Sequence, residues 1–259
     1  MEISSQQHTS FLGELDIESS VIVPVISYPH FSPGAYAERI DEMKSLGVTS
    51  IMIGNGKNMV NGLSIAGKGC VGLVVKAKIG RRIYALKIRR EDSDRKSMEA
   101  EARLLMMANA AGVGPRLEAH TKNLIAMEFV EGQSISHWIR SASRRGVSRV
   151  TRSVLDQCYS LDRADLDHGQ LSRLDRHVIV SPDAGGFPCI IDFETASTGR
   201  KPGNVTAAAQ SLLLYGAIAG HVNRILGEVD RDNVILGLRK YKARKTKTNF
   251  CELLEKLPI

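Results

Sequence analysis

The chain has 259 residues, 43% of them hydrophobic, 24% charged and 5% aromatic, which excludes the disordered, collagen-like and disulfide-scaffold classes. Thirty-five Lys and Arg against 28 Asp and Glu give a formal charge of +7, which favours polyanionic partners such as nucleotides, RNA or acidic proteins without choosing among them. Cys70, Cys158, Cys189 and Cys251 form no C-x-x-C pair, so neither a zinc knuckle nor a disulfide framework is expected, and a reducing cytoplasm is the natural setting. Residues 1–20 lack the basic-then-apolar order of a signal peptide. The longest apolar stretch, 205–220, is interrupted by Thr206, Gln210 and Ser211 and reads as a buried helix rather than a membrane span.

In chain order, residues 1–60 form an N-terminal extension in which Ser32-Pro33 opens a helix through Ala37, Ile40, Met43 and Leu46, ended by Gly47. Short apolar runs broken by glycines predict strands at 49–53, 63–66, 71–78 and 82–88. Helical periodicity covers 91–110 and ends at Gly112 and Gly114-Pro115. Strands follow at 116–119 and 123–129, and Gly132 marks a joint. Beyond it helices are expected at 135–143, 148–161, 205–226 and 233–241. A hairpin of 177–180 and 187–192 interrupts them, around the turn Pro182-Asp183-Ala184-Gly185-Gly186. The expected fold class is α+β, with a strand-rich region at 61–131 and a helical one at 132–259.

Gly67-Lys68-Gly69-Cys70-Val71-Gly72 is a G-x-G-x-x-G string. A dinucleotide fold would follow it with a helix whose N-terminus holds the pyrophosphate. Here the alternating, β-branched run 73–78 follows, then Gly80 and another strand, which points instead to the glycine loop that covers nucleotide phosphates between two strands of a hairpin. Val74 completes G-x-G-x-x-G-x-V, and Tyr84-Ala85-Leu86-Lys87 supplies an A-x-K pattern on the next strand. Strand periodicity puts Ala85 and Lys87 on one face, Ala85 to line an adenine pocket and Lys87 to reach phosphate oxygens. Such a lysine needs a carboxylate partner from the next helix. Glu101 shares a stripe with Met98, Leu105 and Ala108, whereas Glu99 aligns with Arg103. A carboxylate on an apolar stripe is costly unless paired, so Glu101 is the expected partner.

The order of GKGCVGLV, YALK, EARLL, MEFVEG, DHGQL and IDFE over about 63–211 resembles the RIO-type atypical protein kinases and the related archaeal family of predicted Ser/Thr kinases, close to the kinase subunit of the KEOPS tRNA-modification complex. The resemblance implies a bilobal protein-kinase-like fold with a strand-rich N-lobe and a reduced helical C-lobe, ATP and Mg²⁺ as cofactors, and phosphoryl transfer to Ser or Thr of a protein substrate. By position it implies that Met127, Glu128, Phe129 and Val130 form the hinge against the adenine, and that Asp192 ligates the Mg²⁺. Glu194 either adds a second carboxylate beside the metal or is a surface residue. His168 is implied to be a scaffold histidine rather than a base.

The sequence departs from the family at Gln170, which stands at the catalytic Asp position and cannot accept a proton; Asp167 and Asp175 are the candidate substitutes. The metal-binding Asn is also absent. Ungapped counting from His168 puts Asp175 in its place, and alignment on the following strand puts His177 there. No A-P-E motif follows Asp192, as in RIO-type kinases without large peptide-docking segments. Two further readings stand beside the kinase: a pseudokinase that binds ATP as a switch in an RNA-processing assembly, and a small-molecule kinase. Residues 239–247 hold six cations and are either a solvated helix end or a contact for RNA or an acidic partner.

Overall fold

The computed structural model describes residues 13–54, 58–182 and 186–259, so most of the expected turn at 182–186 lies outside the described residues. The chain is a mixed α+β structure with antiparallel sheets. It divides into two units: one runs to Ala102 and includes Arg116–Phe129, and the other comprises Arg103–Pro115 and Val130–Ile259.

The first unit opens with β1 (Gly13–Asp16), a 3-10 turn (Ser20–Ile22), α1 (Val23–Ile26), α2 (Pro33–Ser45) and β2 (Val48–Ile53). A small separate hairpin follows, β3 (Asn58–Val60) with β4 (Leu63–Ile65), then β5 (Gly67–Lys68), β6 (Gly72–Ile79) and β7 (Arg82–Arg89). After the start of α3 (Glu99–Ala110), which runs on into the second unit, come β8 (Leu117–His120) and β9 (Leu124–Glu128). The main sheet has the order β1-β2-β6-β7-β9-β8, with β5 added on β6. The extension before residue 60 therefore contributes two strands to the sheet as well as helices.

Residues paired across an antiparallel ladder share a face, so the register from Gly72 opposite Arg89 to Ile79 opposite Arg82 sorts the side chains. One face carries Leu73, Val75, Ala77, Leu86 and Ile88, joined by Leu124 and Ala126, and is buried with Ile22, Val25, Ile26, Ile40 and Met43. Each such side chain contributes about 1.5–3 kcal/mol by leaving water. The opposite face carries Val74, Ala85, Lys87, Ile125 and Met127. The core on one side thus fixes which residues the other side presents.

α2 begins where expected, with the Ser32 hydroxyl accepting from the Ala35 N–H at 3.5 Å and Gly47 at φ 73° beyond its end. Its Glu42 is tied far along the chain: it accepts from the Thr121 hydroxyl at 2.6 Å, the Asn123 backbone N–H at 3.0 Å and the Asn123 side-chain amide at 2.8 Å. Asn123 is buried.

The helix expected from residue 91 starts only at Glu99. Arg90 grips Asp92 through two hydrogen bonds, and the Ser93 hydroxyl accepts from the Arg95 N–H at 3.2 Å. Asp and Ser here offer the backbone and its neighbours an alternative to helical hydrogen bonds.

The second unit holds β10 (Gln133–Ser134), α4 (Ile135–Trp138), α5 (Arg144–Arg163), α6 (Leu174–His177), β11 (Val178–Val180), β12 (Pro188–Ile190), α7 (Asn204–Ala209), a π-helical turn (Gln210–Leu214), α8 (Gly216–Leu226), α9 (Arg231–Ala243) and α10 (Lys247–Leu254). The three strands form an antiparallel sheet in the order β10-β11-β12. The helix expected at 135–143 stops at Trp138. α5 starts four residues earlier than expected because the Ser143 hydroxyl caps the Gly146 N–H at 3.1 Å. The single helix expected at 205–226 is broken: Tyr215 is extended, Gly216 has φ 91°, and the flanking helices meet at 65°. Val205, Ala208, Leu212, Leu213 and Val222 of this bent pair are buried. Among the described residues no single helix is long and apolar enough to cross a membrane.

Truncating Glu42 to Ala leaves the buried Asn123 amide unsatisfied and should cost about 1–3 kcal/mol. Glu38, in an exposed pair with Lys122 at 2.7 Å, should cost at most about 1 kcal/mol on the same change. Denaturant titration of both variants checks this; equal losses would show that the Glu42 linkage contributes nothing special.

Candidate functional site

The best-defined polar feature of the first unit is the pair Lys87–Glu101. Nζ donates to Glu101 Oε1 at 2.7 Å, with side chains only 6% and 5% exposed. Glu99 is exposed, so the structure pairs the carboxylate that the apolar stripe singled out. Gly72 is what lets β6 lie against this lysine. A Cβ built there would meet the Ile88 carbonyl oxygen at 2.9 Å and Lys87 Cγ at 3.1 Å. Upstream, Gly69 N–H donates to the Gly72 carbonyl at 2.9 Å and closes the glycine turn, while Gly67 sits opposite Val74. Lys68 is exposed, its amine 4.6 Å from the Tyr28 ring centroid.

Lys87 stands at one end of a longer chain of contacts. Arg95 Nη1 stands 3.9 Å from Glu101 Oε2. The Arg95 carbonyl accepts from Arg89 Nη1 at 3.1 Å, and Arg89 Nε donates to Asn123 Oδ1 at 2.8 Å. Asn123 is in turn fixed by Glu42. The extension's helix α2 is therefore linked by named contacts to the pair.

Of the expected hinge residues, Met127 is half-buried beside Ala85, which is 6% exposed. Glu128 is exposed and its backbone N–H donates to the Arg116 carbonyl at 2.8 Å; the Phe129 ring lies 4.2 Å from the Lys76 amine. Val130 falls in the second unit and is half-buried.

In the second unit the organising group is the Ile191 peptide. Its N–H donates to the His177 carbonyl at 2.9 Å, and its carbonyl lies 3.0 Å from His168 Nε2. A carbonyl only accepts, so His168 carries its proton on Nε2. Burial pushes this imidazole down to about 4 from an ordinary 6.5, and the ring is wholly inaccessible. His168 is thus a scaffold residue. The next residue, Asp192, has φ 68°, a left-handed conformation that costs a non-glycine residue free energy and marks functional positions when the surroundings enforce it. Its carboxylate is 37% exposed and lies 3.7 Å from His177 Nδ1, while burial lowers the His177 pKa against the opposing effect of Asp192.

Of the two candidates for the missing amide position, His177 is beside Asp192, and Asp175 is exposed on α6. Asp167 is already engaged, accepting from Arg200 Nε at 2.9 Å and the Gly203 N–H at 3.2 Å. Gln170 is half-buried, with its carbonyl taking the Arg173 N–H, and Glu194 is half-buried. Gly169, at φ 85°, is in a conformation that side chains rarely adopt, and a Cβ there would stand 3.0 Å from the Thr195 carbonyl oxygen.

Beneath this loop lies a network that the motif reading missed. Asp162 Oδ1 accepts from the Asn204 backbone N–H at 2.9 Å and side-chain amide at 2.8 Å, and Oδ2 accepts from the Tyr241 hydroxyl at 2.9 Å. Asn204 Oδ1 then accepts from the His168 backbone N–H at 2.9 Å. Burial raises the Asp162 pKa and drives that of Tyr241 up. The signal was present: Val154, Cys158 and Asp162 recur at helical spacing on the buried face of α5, the same rule that identified Glu101.

The chain matches no protein-family model and no curated protein. For a nucleotide the residues fit: a buried lysine braced by a carboxylate, under a glycine turn, on a strand whose neighbouring position is an alanine. For a metal, no group of three or more His, Cys, Asp or Glu is gathered among the described residues. Mg²⁺ commonly takes one or two carboxylates beside phosphates and water, and Asp192 would be the carboxylate offered to it here.

The buried neutral His168 makes stability pH-dependent. The unfolded ring protonates near 6.5 and the folded ring near 4, so the stability it allows is complete above pH 6.5 and is lost as pH falls to about 4, by on the order of 3 kcal/mol. His177 acts in the same direction. Denaturation midpoints measured between pH 7.5 and 4.5 should fall steeply for the native chain and less for His168→Gln; parallel curves would contradict the assignment.

Proposed function

We propose that this chain is an ATP- and Mg²⁺-dependent protein kinase of reduced, two-lobed, kinase-like architecture that transfers the γ-phosphoryl group to Ser or Thr. The observation that carries the reading is the buried Lys87–Glu101 pair beside Gly72. Apolar replacements of such buried pairs are often neutral or stabilising, so stability alone does not account for the charge and a ligand that uses it does. A nucleotide phosphate is that ligand, since Glu101 holds the amine at a fixed point on the sheet face and the glycine turn keeps side chains away from it.

In this reading Lys87 would orient the phosphates, and Asp192, set by the two histidine contacts to Ile191, would hold a cation able to neutralise their charge. The acceptor hydroxyl oxygen bonds to the γ-phosphorus as the bond to the bridging oxygen breaks, and ADP leaves with the electron pair. Gln170 positions the hydroxyl through its amide oxygen but takes no proton, so the proton leaves to water or with the phosphoryl group. Loss of a general base costs roughly 10²–10⁴-fold, and positioning with charge neutralisation supplies the rest of catalysis. A slow enzyme results.

A second reading is favoured by one observation: Asp167 is committed to Arg200 and Gly203, and the neighbouring group is an amide. A chain with no proton acceptor beside the phosphoryl group would serve as a nucleotide-binding switch. Labelling with γ-phosphate-labelled ATP separates the two. Transfer to the protein itself or to a protein substrate is expected, abolished by Asp192→Ala and Lys87→Met and reduced less than about tenfold by Gln170→Ala. ATP-dependent thermal stabilisation without any labelling would identify the switch, and full activity in Lys87→Met would reject the site.

A further inference from the structure

A cleft of about 450 Å³ lies wholly within the second unit, walled by Asp167, Gly169, Leu171, Ser172, Lys201 and Lys242 among others. It joins two stretches far apart in sequence, the loop that follows His168 and the basic run near the C-terminus. Three facts fix its chemistry. The Asp167 carboxylate is paired with Arg200 at 2.9 Å and accepts from the Gly203 N–H. The Asn204 amide is consumed by Asp162, the Leu166 carbonyl and the His168 N–H. Lys201 and Lys242 are exposed, and among the described residues neither amine has an ion-pair partner. The side-chain groups left to meet a ligand are therefore two ammonium ions and the Ser172 hydroxyl. That set selects an anion.

We propose that this cleft holds an anionic side chain, a carboxylate or a phosphate, of the acceptor polypeptide, so that the enzyme prefers Ser or Thr flanked by acidic or already phosphorylated residues. The inference rests on the kinase reading above and extends it to the substrate. Ser172 and Leu171 lie within two residues of Gln170. An acceptor hydroxyl held at Gln170 thereby lays its neighbours along the cleft wall. A polypeptide is favoured over single-stranded RNA because none of the lining residues is aromatic and Tyr241, the aromatic of the basic run, is fully buried. Base stacking on aromatic side chains is the main non-electrostatic source of single-strand affinity.

The test is fluorescence anisotropy of four labelled serine peptides, flanked by glutamate, phosphoserine, glutamine or lysine, and of a short oligouridylate. Each is titrated with the full chain and with Lys201→Glu/Lys242→Glu, using Lys201→Gln/Lys242→Gln as the milder second variant. The native chain should bind a glutamate or phosphoserine peptide about tenfold or more tightly than the lysine peptide, and the charge reversal should invert that order. The stronger of the two anionic peptides identifies which anion the cleft takes. Equal binding of all four peptides, indifference to the charge reversal, or tighter binding of the oligouridylate than of either anionic peptide would overturn the proposal. ATP-dependent thermal stabilisation of the same samples reports separately on the nucleotide site, so a peptide preference without it would remove the kinase reading and keep the cleft.

Discussion

Two opposite charges 2.7 Å apart, almost fully withdrawn from water, are the constraint around which the first unit is built. Desolvation of such a pair offsets much of its attraction, and removing one partner leaves the other buried and uncompensated. The neighbourhood is shaped accordingly. Gly72 vacates the space above the lysine, the Arg90–Asp92 grip keeps the segment before α3 out of a helix, and Arg95 approaches the carboxylate from the other side. Through Arg89 and Asn123 the arrangement reaches back to Glu42 on α2. The N-terminal extension is thus part of the site's foundation. It is not an appendage to the sheet.

The second unit solves a different problem, which is to hold one carboxylate in an unfavourable backbone conformation. Both polar groups of the Ile191 peptide are fixed by histidine partners, one ring and one carbonyl, and the chain turns left-handed at the next residue. His168 is itself anchored through Asn204 to the buried Asp162. The same anchor reaches Tyr241, three contacts away from His168 and next to Lys242 of the cleft. One buried carboxylate therefore ties the loop that would carry out transfer to the helix that lends the cleft its charge.

Much of this was legible because it is local. The glycine turn, the strand lysine and the hairpin before Asp192 follow from spacing, and the choice of Glu101 over Glu99 followed from which helical stripe is apolar. Applied to α5, the same stripe rule would have singled out Asp162. Other features depend on partners that spacing does not reveal: Glu42 and Asn123 are 81 positions apart, and the break between the π-helical turn and α8 depends on one glycine at φ 91° within an otherwise apolar run. The choice between Asp175 and His177 is open in the sequence because gap placement decides it; in the fold His177 lies 3.7 Å from Asp192 and Asp175 is exposed. The charge of +7 also acquires positions. Lys240 is paired with Glu252, whereas Lys201 and Lys242 line a cleft.

The central claim is that the Lys87–Glu101 pair exists to meet a nucleotide phosphate. A crystal structure of the chain with Mg²⁺ and a non-hydrolysable ATP analogue tests it most directly. The account predicts a phosphate oxygen within hydrogen-bonding distance of Lys87 Nζ, the pair to Glu101 intact, and Asp192 on the cation. A nucleotide bound elsewhere, with Lys87 contacting Glu101 and no phosphate, would contradict it.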